Sequence, residues 1–203
     1  MKLKDLLLEN PMIIDRLDDY PLNDISKNRD RYNLFMQYAK RHLFDYSNIN
    51  VYHTIVAKQN IIVGLNVPGK KIAYYCSFER VKIPVFNNAC SQMMVWADSR
   101  PETKGLPRHI FFDYFLKQFD TIVSDYAQTE YGKKFWENNI RVAFEKNLYV
   151  YVYFTSSMRL KRIENYKDFL NVKGDLWGED FAYGDIVLAI SKKNLHDNTK
   201  TVD

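Results

Sequence analysis

Apolar positions change their period twice along the chain. From about Asp24 to Phe44, Tyr32, Phe35, Met36, Ala39 and Leu43 recur at helical spacing, with Lys, Arg and Asp between them, which predicts an amphipathic helix. A shorter stretch, LKDLLLE (3–9), predicts another helix that stops before Asn10-Pro11, because the residue ahead of proline is pushed out of the helical region. From Asn50 the pattern turns to strands. VYHTIVAK, NIIVGLNV and KIAYYCSFERVKI are rich in β-branched and aromatic residues, and Lys58-Gln59-Asn60 and Pro68-Gly69-Lys70-Lys71 break them apart. An antiparallel meander fits this pattern. SQMMVWAD (91–98) predicts a further strand. A helix over about 107–119 has the buried stripe Phe111, Phe112, Phe115, Leu116 and Phe119, with Pro107 in its first turn. TIVSD (121–125) predicts a short buried strand, and Thr129 caps a helix over about 129–146. LYVYVYF (148–154) alternates, with Tyr149, Tyr151 and Tyr153 on one side, and DIVLAISKK (185–193) predicts the last strand.

The elements predict one α/β or α+β domain over 1–203: a helical part (1–48), a sheet-containing core (50–193) and a polar tail (194–203). A mainly antiparallel central sheet flanked by helices, behind an N-terminal helical pair, is the expected architecture. The 203 residues suffice for a well-buried core.

Composition adds 15 Tyr, 13 Phe and 3 Trp against 7 Gly, so the core and its rim are expected to be aromatic. The net charge of +4 admits an anionic ligand or nucleic acid without requiring either. No apolar run has the length of a membrane span, and the four histidines lack metal-ligand spacing. Two cysteines, Cys76 and Cys90, with no secretory signal, predict a reducing, cytoplasmic setting. The Asn-, Tyr- and Lys-rich, glycine-poor composition points toward an AT-rich genome or a mobile element such as a phage.

Candidate chemistry concentrates in WADSRPETKGLPRH (96–109), which joins a strand to an aromatic helix. A helix N-terminus presents unpaired amides and a partial positive charge, and a glycine turn before it can add a nest of amides for an anion. Arg100, Lys104 and Arg108 supply positive charge. Solvated charges on a plain surface connection are the competing reading.

The element order and this strand-loop-helix resemble the GNAT superfamily of acyl-CoA N-acyltransferases, over roughly 50–193. The family's loop reads Gln/Arg-x-x-Gly-x-Gly/Ala, and the corresponding residues here are Glu102-Thr103-Lys104-Gly105-Leu106-Pro107. Gly105 matches; Glu102 and Pro107 depart. The resemblance implies an acyl-CoA co-substrate, acetyl-CoA or a longer acyl-CoA, and an amine acceptor attacked directly. It implies strands that part company, here Met93 to Trp96 and Ile122 to Ser124, and binding of the co-substrate by Met94, Val95, Trp96, Arg100, Lys104, Gly105, Leu106 and Arg108. The helix after the fifth family strand carries an Asn that contacts the co-substrate, here Asn138 or Asn139. At the family's general-acid position stands Phe144, which leaves Tyr131 or Tyr149 as the nearby phenols.

Acyl transfer also needs a polarised thioester carbonyl, a role open to a backbone amide near Val95, and a base for the amine. Glu79, Asp98 and Asp125 are the carboxylates expected to compete for the base role. Two other functions fit the same letters. One is a non-catalytic protein of this fold that works by binding. The other is a nucleic-acid-binding or modifying protein that stacks bases on the tyrosines of NLYVYVYF. The segment NVKGDLWGEDFAYGD (171–185) is a candidate acceptor-side loop or a structured turn.

Overall fold

The computed structural model of the protein describes residues 22–38, 40–125, 129–176 and 186–195. The helix expected at 3–9, residues 177–185 of the acceptor-side candidate and most of the polar tail lie outside them. The described residues make a mixed α+β fold whose large, mostly antiparallel sheet has nine strands. These are β1 (Lys40–Tyr46), β2 (Ile49–Val56), β3 (Gln59–Asn66), β4 (Lys71–Ile83), β5 (Phe86–Ala97), β6 (Thr121–Val123), β7 (Tyr149–Phe154), β8 (Arg159–Ile163) and β9 (Ile186–Ser191), in the order β1-β2-β3-β4-β5-β6-β9-β7-β8. Four helical segments accompany them: α1 (Ile25–Gln37), α2 (106–118), α3 (Glu130–Glu145) and α4 (Tyr166–Leu176). Contacts divide the chain into two compact units, 1–78 with 94–107 and 79–93 with 108–203.

In the first unit α1 lies on one face of the strands. Asp24 caps it, its side chain accepting from Lys27 N at 2.9 Å, and Lys40 Nζ closes the other end on Phe35 O and Met36 O. Its Tyr32 and Phe35 join Leu22, Val56, Ile61, Val63, Leu65, Ile72, Tyr75 and Trp96 in one core. The third buried residue of that stripe is polar. Asn28 Nδ2 donates to Leu22 O (2.8 Å) and Ile72 O (3.1 Å), while Ile72 N donates to Asn28 Oδ1 (2.7 Å). One amide side chain thus pairs with both backbone groups of Ile72, as a neighbouring strand would. It does so where the β3–β4 register shifts between Gly64 and Leu65. Gly64 is required there: a Cβ would stand 2.8 Å from Ile49 Cγ2 and 3.0 Å from Tyr74 Cβ.

The expected helix to Phe44 ends at Gln37, and Lys40–Tyr46 forms β1, paired antiparallel with β2. A bulge between His42 and Phe44 breaks the strand's alternation. That break lets Leu43 fall at helical spacing from Tyr32, Phe35 and Met36. Met36 itself is exposed. The meander of β2, β3 and β4 falls where the apolar runs place it, and β4 matches its run residue for residue.

The second unit contains the sheet's parallel step: Ala89, Cys90 and Ser91 of β5 pair with Thr121, Ile122 and Val123 of β6. β9 runs antiparallel to both β6 and β7. Polar side chains complete the ladder beside β6. Leu188 N donates to Ser124 Oγ at 3.1 Å and Thr121 Oγ1 to Ser191 Oγ at 2.9 Å. Phe86, Ala89, Val123, Tyr151, Tyr153, Val187 and Ala189 form this unit's core, with Val81, Ile83 and Val85 packed against it. Tyr151 and Tyr153 are 0% and 3% exposed, so their rings have no free face for a stacked base.

Helix α2 begins at Leu106 and widens into a π-helix over Ile110–Phe115. Ile110, Phe111, Phe112, Phe115 and Leu116 are all buried. They span more than one α-helical stripe, and the wider π turn narrows the arc they occupy. Phe111 meets Phe135 and Trp136 of α3 edge-on, at 5.9 and 5.6 Å between centroids. Besides β1, two elements are absent from the sequence expectation. β8 is short and mostly charged, as an edge strand often is. α4 starts at an Asn165–Asp168 cap, in which Asp168 N donates to Asn165 Oδ1 at 3.0 Å, and takes in residues 171–176 of the acceptor-side candidate.

Asn28→Ala strips Ile72 of both side-chain partners in a buried place. Chemical denaturation should show a loss of about 2–4 kcal/mol, because each unsatisfied buried backbone group costs roughly 1–3 kcal/mol. An unchanged midpoint would show that the pairing carries no stability.

Candidate functional site

The loop after β5 is tied down by its own charges. Asp98 N donates to Ala73 O at 2.9 Å, which fixes the start. The Asp98 carboxylate then takes Arg100 through both Nε (2.6 Å) and Nη2, and Lys71 Nζ at 3.2 Å. Glu102 Oε1 stands 3.8 Å from Lys71 Nζ and 4.0 Å from Arg100 Nε. Two cations and two carboxylates therefore close on one another. Burial pushes the Asp98 carboxyl above its ordinary range, the Arg100 amide pulls it down, and Glu102 pushes it up. With two cations in contact, the ionised form is the one this geometry holds.

Pro101–Thr103 makes one 3₁₀ turn, pinned by the Thr103 hydroxyl on Asp98 O and Arg100 O. Lys104 follows, exposed, and its carbonyl accepts from the Tyr46 hydroxyl at 2.8 Å. Gly105 has φ +85°, and a Cβ there would stand 2.9 Å from Tyr46 Oη. That conformation favours glycine. Leu106, 0% exposed, buries the first residue of α2. The loop is thus a fixed turn leading into a helix start, with the exposed Lys104 beside its glycine.

The remaining candidates are distributed. Trp96 is buried in the first core, its Nε1 donating to Asn23 Oδ1 at 2.9 Å, and Met94 packs against that core. Val95 is half-buried on β5. Arg108 is exposed in the first turn of α2, and Glu79 is exposed on β4. Asn138 is exposed on α3. Its neighbour Asn139 is 2% exposed, and Asn139 Nδ2 is buried without a hydrogen-bond acceptor. Tyr149, half-buried, lies under Arg162, whose guanidinium carbon is 4.9 Å from the ring centroid. The structure joins Asp98 and Arg100 in one cluster and sets Lys104 beside Gly105. Lys71 and Tyr46, which anchor this loop, carry no motif in the sequence, and each reaches it from another strand.

Asp125 follows β6 directly, after Ser124, whose N donates to Leu188 O at 2.8 Å. Desolvation raises its carboxyl to about 7. A carboxyl that titrates near neutrality can take a proton from a substrate and release it again at physiological pH. No group of His, Cys, Asp and Glu among the described residues could hold a metal ion.

Comparison with family models, with curated proteins and with solved structures finds no match of any of the three kinds.

Gly105→Ala forces a side chain into the left-handed region and toward Tyr46. A stability loss of about 1–2 kcal/mol is expected, and a stability equal to that of the parent would show that the turn relaxes freely. Asp125 gives a pH signature. Its folded pKa of about 7 lies above its ordinary 3.8, so its contribution is complete below pH ~4 and is lost as pH rises through 7. The total loss across that window should amount to about 2–4 kcal/mol. Asp125→Asn should flatten it, and identical pH profiles for the two proteins would contradict the buried carboxyl.

Proposed function

We propose that the protein is an acyl-CoA-dependent N-acyltransferase of GNAT type, transferring an acyl group, acetyl in the simplest case, to an amine by direct attack. The observation that carries this reading is the parallel β5–β6 step. An antiparallel run of strands leads to β5, and a loop and helix α2 then return the chain to β6. The two strands pair only over Ala89–Ser91 and Thr121–Val123, while β5 runs on to Ala97. The resemblance needs backbone groups of β5 beyond this paired segment where a pantetheine arm is to meet them. The loop it expects to hold the pyrophosphate is the one fixed by Asp98, Thr103 and Tyr46. The turn at Gly105 fits an anion in conformation. Lys104 fits it in charge, and the Leu106 amide opens the helix. Pro107 offers no N–H, which limits the number of amides available.

In this reading Asp125 is the base. Its near-neutral carboxyl accepts the ammonium proton of the acceptor, and the freed amine attacks the thioester carbonyl. The C–S bond then breaks, and coenzyme A leaves as a thiolate that takes up a proton. A backbone amide near Val95 stabilises the oxyanion. The phenols Tyr131 and Tyr149 remain the alternatives for protonating the thiolate.

A non-catalytic binding protein is favoured by one observation: Arg100, one of the cations of the expected phosphate loop, is already taken by Asp98.

Thermal unfolding with acetyl-CoA, with longer acyl-CoA and with coenzyme A separates the two. At 100 times the dissociation constant a ligand stabilises by about 2.7 kcal/mol, so an upward shift in Tm is expected for at least one of the three. No shift at millimolar concentration of any of them sinks the acyltransferase. Where acyl transfer to an amine is measured, Asp125→Asn should lower kcat by about 10²–10⁴-fold and leave the coenzyme A shift intact.

A further inference from the structure

A second charged region, in the second unit, is not neutralised as the loop is. Asp120, between α2 and β6, accepts Lys193 Nζ at 2.5 Å and stands 3.6 Å from Lys192 Nζ, while its carbonyl accepts from Lys192 N. Lys193 lowers the Asp120 carboxyl below its usual range. The two lysines share one carboxylate and stay 59% and 38% exposed. One residue back, Phe119 carries the Arg80 guanidinium over its ring, 5.1 Å from the centroid. Lys82 follows on the same face of β4 by strand alternation, and Lys117 lies two residues before Phe119. All five cations are exposed. Among the described residues the acids on these elements are fewer than the five cations: Asp120 serves two lysines, Asp113 on α2 is held by His109 at 2.7 Å, and Glu79 neighbours Arg80 on β4.

We propose that Arg80, Lys82, Lys117, Lys192 and Lys193 form a face that binds the phosphate backbone of a nucleic acid. The cations come from three elements and are open to solvent. Spread over three elements, they suit an extended polyanion. A lipid surface would need apolar side chains to insert beside the charges. Phe119 is 3% exposed, and among the described residues of this unit the exposed large apolar ones, Met93, Tyr131, Met158 and Leu170, lie on other elements. Phosphate contacts fix register without reading bases, so the binding is sequence-independent. It stands independently of the acyltransferase reading.

Fluorescence anisotropy with labelled single-stranded and duplex oligonucleotides tests this on the full chain. Contact with about four phosphates should weaken duplex binding roughly a hundredfold between 50 and 200 mM salt. The triple variant Arg80→Ala, Lys82→Ala, Lys117→Ala should make the log–log salt slope shallower by about 2 to 3. A control triple at the exposed Arg29, Arg41 and Lys161 should leave it within about one unit of the parent. Should the first triple melt early, Lys117→Glu alone should still weaken binding and flatten the slope. Absence of salt-dependent binding at 50 mM overturns the proposal. So does equal weakening by the control triple, and so does retention on phosphatidylserine vesicles with no binding to either oligonucleotide.

Discussion

The arrangement turns on one constraint, the parallel pairing of β5 with β6. Antiparallel neighbours can be joined by two residues, as β4 and β5 are through Pro84 and Val85. Parallel neighbours cannot, so the chain must leave the sheet and come back along it. Everything from Asp98 to Asp120 exists to make that return: a self-pinned loop, a helix start at Leu106 and an aromatic helix. The parallel segment has only three residue pairs. Its other edge therefore matters, and β9 supplies it, with Ser124, Thr121 and Ser191 adding side-chain bonds where the backbone ladder runs out.

Side chains that imitate backbone recur wherever the regular pattern fails. Asn28 takes the place of a strand partner at the Gly64–Leu65 register shift. Lys40 covers carbonyls at the end of α1, and Tyr46 covers the Lys104 carbonyl beside Gly105. A buried or half-buried polar backbone group left alone costs more than the net gain from one made bond. Irregular stretches therefore fix particular residues more strictly than regular ones do. An alanine is tolerable at many strand positions, but at Asn28 it exposes two faults at once.

The same contrast explains what could be read from the letters. Period-2 and period-3.6 patterns located β2, β3, β4, β7, β9 and α3, including the Thr129 cap, because regular elements bury regular stripes. β1 was hidden because its bulge destroys the alternation and puts Leu43 in helical phase. β8 and α4 were hidden because one is an edge strand of charged residues and the other carries Gly174 and polar positions with only Phe169 and Leu176 buried. In the loop, Gly105 was legible from its letter, since few residues adopt its conformation. The capture of Arg100 by Asp98 has its partners two residues apart, yet nothing in the spacing says which way the guanidinium turns. Lys71 reaches Asp98 from 27 residues away, a contact that only the folded meander creates.

The two charged regions differ in how their acids are placed, and that difference ranks what each can bind. Around Asp98 the carboxylates match the cations in number, and Asp98 itself is only 16% exposed. An incoming anion must displace a carboxylate from Arg100, or rely on Lys104 and the amides at the turn. Around Asp120 one carboxylate is shared by two lysines, with Arg80, Lys82 and Lys117 left over. An anion arriving there meets Arg80, Lys82 and Lys117, and competes with Asp120 alone for the two lysines. A ligand for the loop must therefore bring much of its affinity from contacts other than charge. A ligand for the Asp120 face needs little beyond its charge, and its affinity must fall steeply with salt.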